Sequence, residues 1–240
     1  MKFVGLISAA FGAMAATVVL SAPAEATPTT THWYVIGGMG NKGCSEACRA
    51  TATITFVSSG ILEVQLSDTE ANPKSAGDLL SGIIISLGES AGPVSLTSQS
   101  GPLINVTGNN NGYTTVSGSP THWGVGSSGD DITLETAGND AQGGKPTNMI
   151  IGQPNGSGNY SNANSSVDDG HFSPYILGTG IFFIHDAALT LPPDITGVVF
   201  AFGTSPDTFL KGVPEPLTLS LFGTGLAGAV AMRRRRKAKA

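Results

Sequence analysis

Apolar and polar residues alternate strictly over residues 51–57, where Ala52, Ile54 and Phe56 fall on one side and the threonines on the other. Residues 61–66 repeat the pattern, with Leu62, Val64 and Leu66 on one face and Glu63 and Gln65 on the opposite one. A period of two, bounded by Gly and Ser, predicts two half-buried antiparallel strands. Ser58-Ser59-Gly60 is short enough to turn the chain between them. At Asn72-Pro73-Lys74-Ser75 a second turn is expected, since Pro fixes φ and Asn readily starts a turn. Residues 78–87 follow as a strand centred on the β-branched run Ile83-Ile84-Ile85. Shorter strands are expected at 94–97, 103–107, 113–116 and 131–135. Two stronger ones, 181–191 and 195–202, close the series.

About eight to ten short strands with frequent turns predict an all-β domain, an antiparallel β-sandwich of jelly-roll-like type. Composition agrees. Gly, Ser, Thr and Asn abound, while the Leu, Glu, Lys, Arg and Gln that cover exposed helix faces are scarce. Residues 137–173 form a long Gly/Asn/Ser stretch interrupted only by 148–151. A loop of that length in a compact domain is either functional or poorly ordered, and the pattern does not separate the two.

The two ends carry different signals. Lys2 precedes an apolar run over residues 3–20, and Ala24-Glu25-Ala26 offers small residues where a signal peptidase reads, so residues 1–26 are expected to be a helical signal peptide. Cleavage is expected after Ala26, with Ala24 as the alternative. Residues 27–211 then form the exported domain. The net charge of the chain is −5, but the basic residues concentrate in the tails. From Thr27 to Gly212, five basic residues (Lys42, Arg49, Lys74, Lys145, Lys211) face fifteen Asp and Glu, a balance of −10. So few cations argue against nucleic acid as a partner, and against anionic membrane surfaces.

At the C-terminal side Val213 precedes Pro214-Glu215-Pro216, then an apolar run over 217–232, then Arg233, Arg234, Arg235, Arg236 and Lys237. Sixteen apolar residues are somewhat fewer than the roughly 20 that span a bilayer, a gap that snorkelling and thinning can close. The basic cluster is expected to stay cytoplasmic, which leaves the domain outside. The tail over 213–240 resembles the PEP-CTERM sorting signal of exosortase substrates. That resemblance implies recognition of Pro214, Glu215 and Pro216 by exosortase, a membrane-embedded cysteine transpeptidase, and cleavage near the motif. It also implies a transient stay in the inner membrane before the cell surface or extracellular space, in a Gram-negative producer of exopolysaccharide. Residues 66–87 and 160–166 likewise resemble segments of other exosortase-sorted ectodomains.

Candidate chemistry is sparse. Cys44 and Cys48 are the only cysteines. In an oxidising compartment a disulfide is the first expectation, and a zinc site would need two more ligands, such as His32 and His122. None of His32, His122, His171 and His185 belongs to a ligand motif, and His185 reads as an edge-of-core side chain bonded to a carbonyl. No Gly-x-Ser-x-Gly elbow or phosphate loop is present. Asn162, Asn164, Asp168 and Asp169 form the best calcium cluster, although without a regular ligand spacing solvated turn residues account for them better. Trp33, Tyr34, Tyr113, Trp123, Tyr160 and Tyr175 offer either packing or a sugar-stacking platform. The expectation is therefore a non-enzymatic surface or matrix protein without a cofactor, associated with exopolysaccharide and biofilm. A carbohydrate-binding module and a secreted hydrolase with an unrecognised site stand as alternatives.

Overall fold

Alternation becomes two packed sheets. The computed structural model describes residues 29–37, 44, 47–107, 112–136, 146–205 and 208–215. The signal peptide expected at 1–26, the apolar run at 217–232 and the basic cluster lie outside the described residues. The strands are β1 (Thr29–Ile36), β2 (Arg49–Ser58), β3 (Ile61–Asp68), β4 (Leu80–Leu87), β5 (Val94–Ser100), β6 (Leu103–Val106), β7 (Tyr113–Val116) and β8 (Gly124–Ser128). They continue with β9 (Asp131–Glu135), β10 (Ile150–Ile151), β11 (Tyr175–Leu177), β12 (Thr179–Asp186), β13 (Ile195–Phe202), β14 (Thr208–Lys211) and β15 (Val213–Pro214). One helical turn, α1 (Ser165–Asp168), and a 3-10 turn at Ala76–Asp78 complete the set.

The first sheet has the order β15-β1-β2-β3-β12-β5, and all its pairings are antiparallel. The second runs β14-β13-β4-β10-β11-β6-β7, with β9 also on β4 and β8 on β9. Within it β10 and β11 are parallel, the one exception to the antiparallel expectation among the described pairings. The two sheets form a sandwich-like, nearly all-β domain. Ile54, Leu62, Val64, Leu66, Phe182 and Ile184 from the first sheet meet Ile83, Ile85, Ile132, Leu134, Val198 and Phe200 from the second in one buried cluster. Each fully buried side chain of this size contributes about 1.5–3 kcal/mol.

The larger departures from the sequence pattern lie at the start of β4, at the end of β12 and in the long polar stretch. Residues 76–78 form the 3-10 turn, because the Asp78 carboxylate reaches back to the Ser75 N–H at 3.0 Å, and β4 starts only at Leu80. The strand expected at 181–191 ends at Asp186, whose buried carboxylate accepts N–H groups from Ala188 at 2.9 Å and Gly92 at 3.0 Å. That folds residues 187–191 into a turn. The described part of the long polar stretch, 146–173, is ordered by a second core. Met149, Ile151, Tyr160 and Val167 pack there against Leu79, Ile104, Val106 and Tyr175.

Candidate functional site

Two places in the fold bring together residues with chemical potential. The first lies where the chain after β3 meets the polar stretch. The Asn72 N–H donates to the Gln153 carbonyl at 2.8 Å, and Asn72 Oδ1 accepts the Asn162 N–H at 3.2 Å. Asn72 has φ 56°, a left-handed conformation that Asn tolerates better than most residues. The Asn164 N–H donates to the Lys74 carbonyl at 2.8 Å, and the Ala76 N–H to Ser166 Oγ at 2.9 Å. Gly152 lies so close to Glu70 that a Cβ built there would fall inside the Glu70 carbonyl. The segments 66–87 and 160–166 are thus packing partners of each other.

Asp68 sits beneath this junction, continuing the buried face of β3 after Leu62, Val64 and Leu66. It is 3% exposed; Oδ1 accepts the Glu70 N–H at 2.9 Å, and Oδ2 has no hydrogen-bond partner among the described residues. Burial pushes its carboxyl well above the usual range, and the nearby Glu70 adds to the rise. The Glu70, Leu80 and Gly152 backbone N–H groups pull the other way without cancelling it. Next to it a shallow cleft of about 320 Å³ is lined by Ala47, Arg49, Thr69, Glu70 and Ala71. Asp68 does not line that cleft. The Asp68 carboxyl is therefore enclosed in the fold, with its hold on a proton strengthened by burial, rather than presented to a substrate.

The sign of its linkage follows. Folded Asp68 keeps its proton to higher pH than the unfolded chain does, so the folded state binds more protons above about pH 3.9. Stability must fall as pH rises from there through the raised value, and then level off. Asp68→Asn keeps an acceptor for the Glu70 N–H and cannot ionise. Its urea midpoint is expected to exceed that of the parent at pH 7 and to approach it near pH 4. An equal difference at both values would contradict the assignment.

The second place is the outer edge of the first sheet. After β14 the chain changes sheets at Gly212, whose N–H donates to the Val198 carbonyl at 2.8 Å. A Cβ there would lie 3.0 Å from the Phe200 ring and 3.2 Å from the Val198 oxygen, so a side chain would crowd the crossing. Val213 then pairs with Tyr34 and Pro214 with Trp33, and the Glu215 N–H donates to the His32 carbonyl at 2.9 Å. Bonding alternates along an antiparallel ladder, so Pro214 occupies the position whose N–H would point away from β1. Proline is tolerated only in such a place, and it also blocks a further strand from adding outside.

Of the other residues singled out by the sequence, Pro214 and Glu215 are exposed on this edge, while Pro216, Arg233, Arg234, Arg235, Arg236 and Lys237 lie outside the described residues. Cys44 and Cys48 are joined in a disulfide with a Cα–Cα distance of 5.8 Å. Asn164 caps α1, its Oδ1 accepting the Ser166 N–H at 2.9 Å, and Asp169 Oδ1 accepts the His171 N–H at 2.7 Å. Asp168 ends α1, and Asn162 is tied through its N–H to Asn72. No group of three or more His, Cys, Asp or Glu among the described residues is placed to hold a metal ion. His185 lies on the outer face of β12, against Gly60, rather than at the core edge.

Trp33, Trp123, Tyr160 and Tyr175 are buried. Trp123 Nε1 donates to the Asn148 carbonyl, and the Tyr160 and Tyr175 hydroxyls to the Gly152 and Val167 carbonyls. These four rings are packing elements and do not form an exposed sugar platform.

No curated protein and no solved structure matches the chain. A family model described as the PEP-CTERM protein-sorting motif matches residues 212–236, beginning at the glycine where the chain crosses between the sheets. The match takes in strand β15, the Pro-Glu-Pro motif, the apolar run and four arginines: this chain carries a PEP-CTERM protein-sorting motif that grows directly out of its β-sandwich.

Proposed function

We propose that the protein acts without catalysis at the cell surface or in the surrounding matrix, as an exported β-sandwich associated with exopolysaccharide. The sorting motif over 212–236 carries this reading, since such a motif implies export, C-terminal anchoring and processing by exosortase. The internal chemistry is in keeping with it. Asp186 and Asp78 organise turns, Asp68 is enclosed, and the cleft beside Glu70 is shallow. Asp186 ties the chain at Gly92 and Ala188 to the end of β12, and Asp78 closes the turn before β4, which suits a protein that presents a rigid surface.

The test uses chain released by the producing cells and purified from the medium. Mixed with the producer's own polysaccharide, it is expected to co-sediment and to leave polymer length unchanged on size-exclusion chromatography. Shortening of the polymer would replace this reading with a hydrolase, and absence of co-sedimentation would remove the polysaccharide association.

A further inference from the structure

The chain leaves the described fold at one end of the sandwich. Because β15 is antiparallel to β1, Glu215 lies opposite His32 and the chain departs toward Thr29, the start of β1. Phe56 of β2 pairs with Thr29 at that same end, and the turn after Val57 follows. The Gly60 N–H donates to the Leu189 carbonyl at 2.6 Å, and the Gly60 carbonyl accepts the Asp186 N–H at 2.9 Å. These bonds hold residues 187–191 beside the turn. Pro193 and Ile195 border a small cavity with Thr29, Thr31, Ile54 and Phe56, which brings the rest of that loop against the same corner.

Apolar side chains project there. Leu191 is 71% exposed and Val57 40% exposed, and Pro192, next to Leu191, is exposed as well. From Glu215, hydrogen-bonded to β1, to Leu217, the first residue of the apolar run, is two residues. An extended chain covers at most about 7 Å in that length. While β15 stays paired, the corner has no slack with which to move away from the membrane interface.

We propose that this end of the sandwich, led by Leu191 and Val57, lies against the bilayer that holds the C-terminal run, and that the short tether from β15 keeps it there until processing. This rests on the anchored reading above. The occupant is set by where the chain goes next, and apolar tips suit the boundary between headgroups and acyl chains. Glu89, Asp130 and Asp194 stand exposed on the second sheet's side of the same end, close to the β4–β13 pairing at Leu87 and Ile195. Anionic headgroups repel that side, so the β1–β2 corner leads.

The unprocessed chain tests this directly. Its two cysteines are bridged, so Leu191→Cys and Ile36→Cys each accept a single fluorophore. Ile36 is 64% exposed and lies at the far end of β1, which makes it the reference. In phosphatidylcholine vesicles carrying brominated acyl chains, quenching is expected to be several-fold greater at position 191 than at 36. Ten Gly and Ser residues inserted after Glu215 are expected to bring the two sites level. Equal quenching in the unextended chain overturns the proposal, and so does a difference that survives the insertion. A chain that fails to float with the vesicles overturns the anchored reading itself, and the proposal with it.

Discussion

Phe182→Ala is expected to lower the stability of the domain by about 3–5 kcal/mol, the range for truncating a fully buried aromatic ring. Phe182 is wholly buried near the middle of β12, paired with Val64 of β3 on one side and Gln99 of β5 on the other. Its ring lies 4.5 Å from that of Trp123, which comes from the chain just before β8 in the opposite sheet. Truncation therefore empties a contact that joins the two layers, and strands bonded on both sides cannot collapse into the gap. The urea midpoint should fall with little change in slope, since the surface exposed on unfolding hardly changes. A loss below about 1 kcal/mol would show that the layers are held elsewhere, because even a conservative core trimming reaches that size.

A second large effect is expected at the sheet edge. Tyr34 and Val213 are paired, and their outward-facing side chains are not fully buried. They occupy a hydrogen-bonded pair, with Cα atoms about 5.5 Å apart, which suits a disulfide. Tyr34→Cys with Val213→Cys should lock β15 to β1 in the oxidising compartment. An enzyme that binds its substrate as an extended segment must make its own main-chain contacts to Pro214-Glu215-Pro216, and the locked segment cannot leave β1 to do so. Uncut chain should accumulate at the membrane, and a membrane-permeant reductant should restore cutting. Cutting of the locked chain at the parent rate would show that the motif is read without leaving the sheet.

Sequence period made much of this fold legible, and its limits have physical causes. β2 and β3 bury every second residue along nearly their whole length, so alternation located their ends to within two residues. The same rule hid Asp68, since an Asp after Ser67 reads as the end of a strand rather than as its last buried position. β15 was invisible because proline seldom sits in a strand, and only the edge geometry shows why Pro214 can. Tyr160 and Val167 are seven residues apart in a polar stretch, and one helical turn brings both into the second core. No period of two or 3.6 exposes such a pair. β10 has only two residues, and its partners in β4 and β11 are distant in sequence. The rings of Trp33 and Trp123 failed as a platform for a similar reason: facing inward or outward depends on register with neighbouring strands, which the residues around one ring do not carry. The sorting motif needed none of this. Its recognition rests on the order of a tripeptide, an apolar run and a basic cluster, all local in the chain.

The central claim is that the protein is exported and cut at a motif fused to its last strand. Intact-mass spectrometry of the exported protein tests it most directly. The account predicts an N-terminus at or near Thr27 and a C-terminus near Pro214. Exported protein that still carries Arg233, Arg234, Arg235, Arg236 and Lys237 would contradict it.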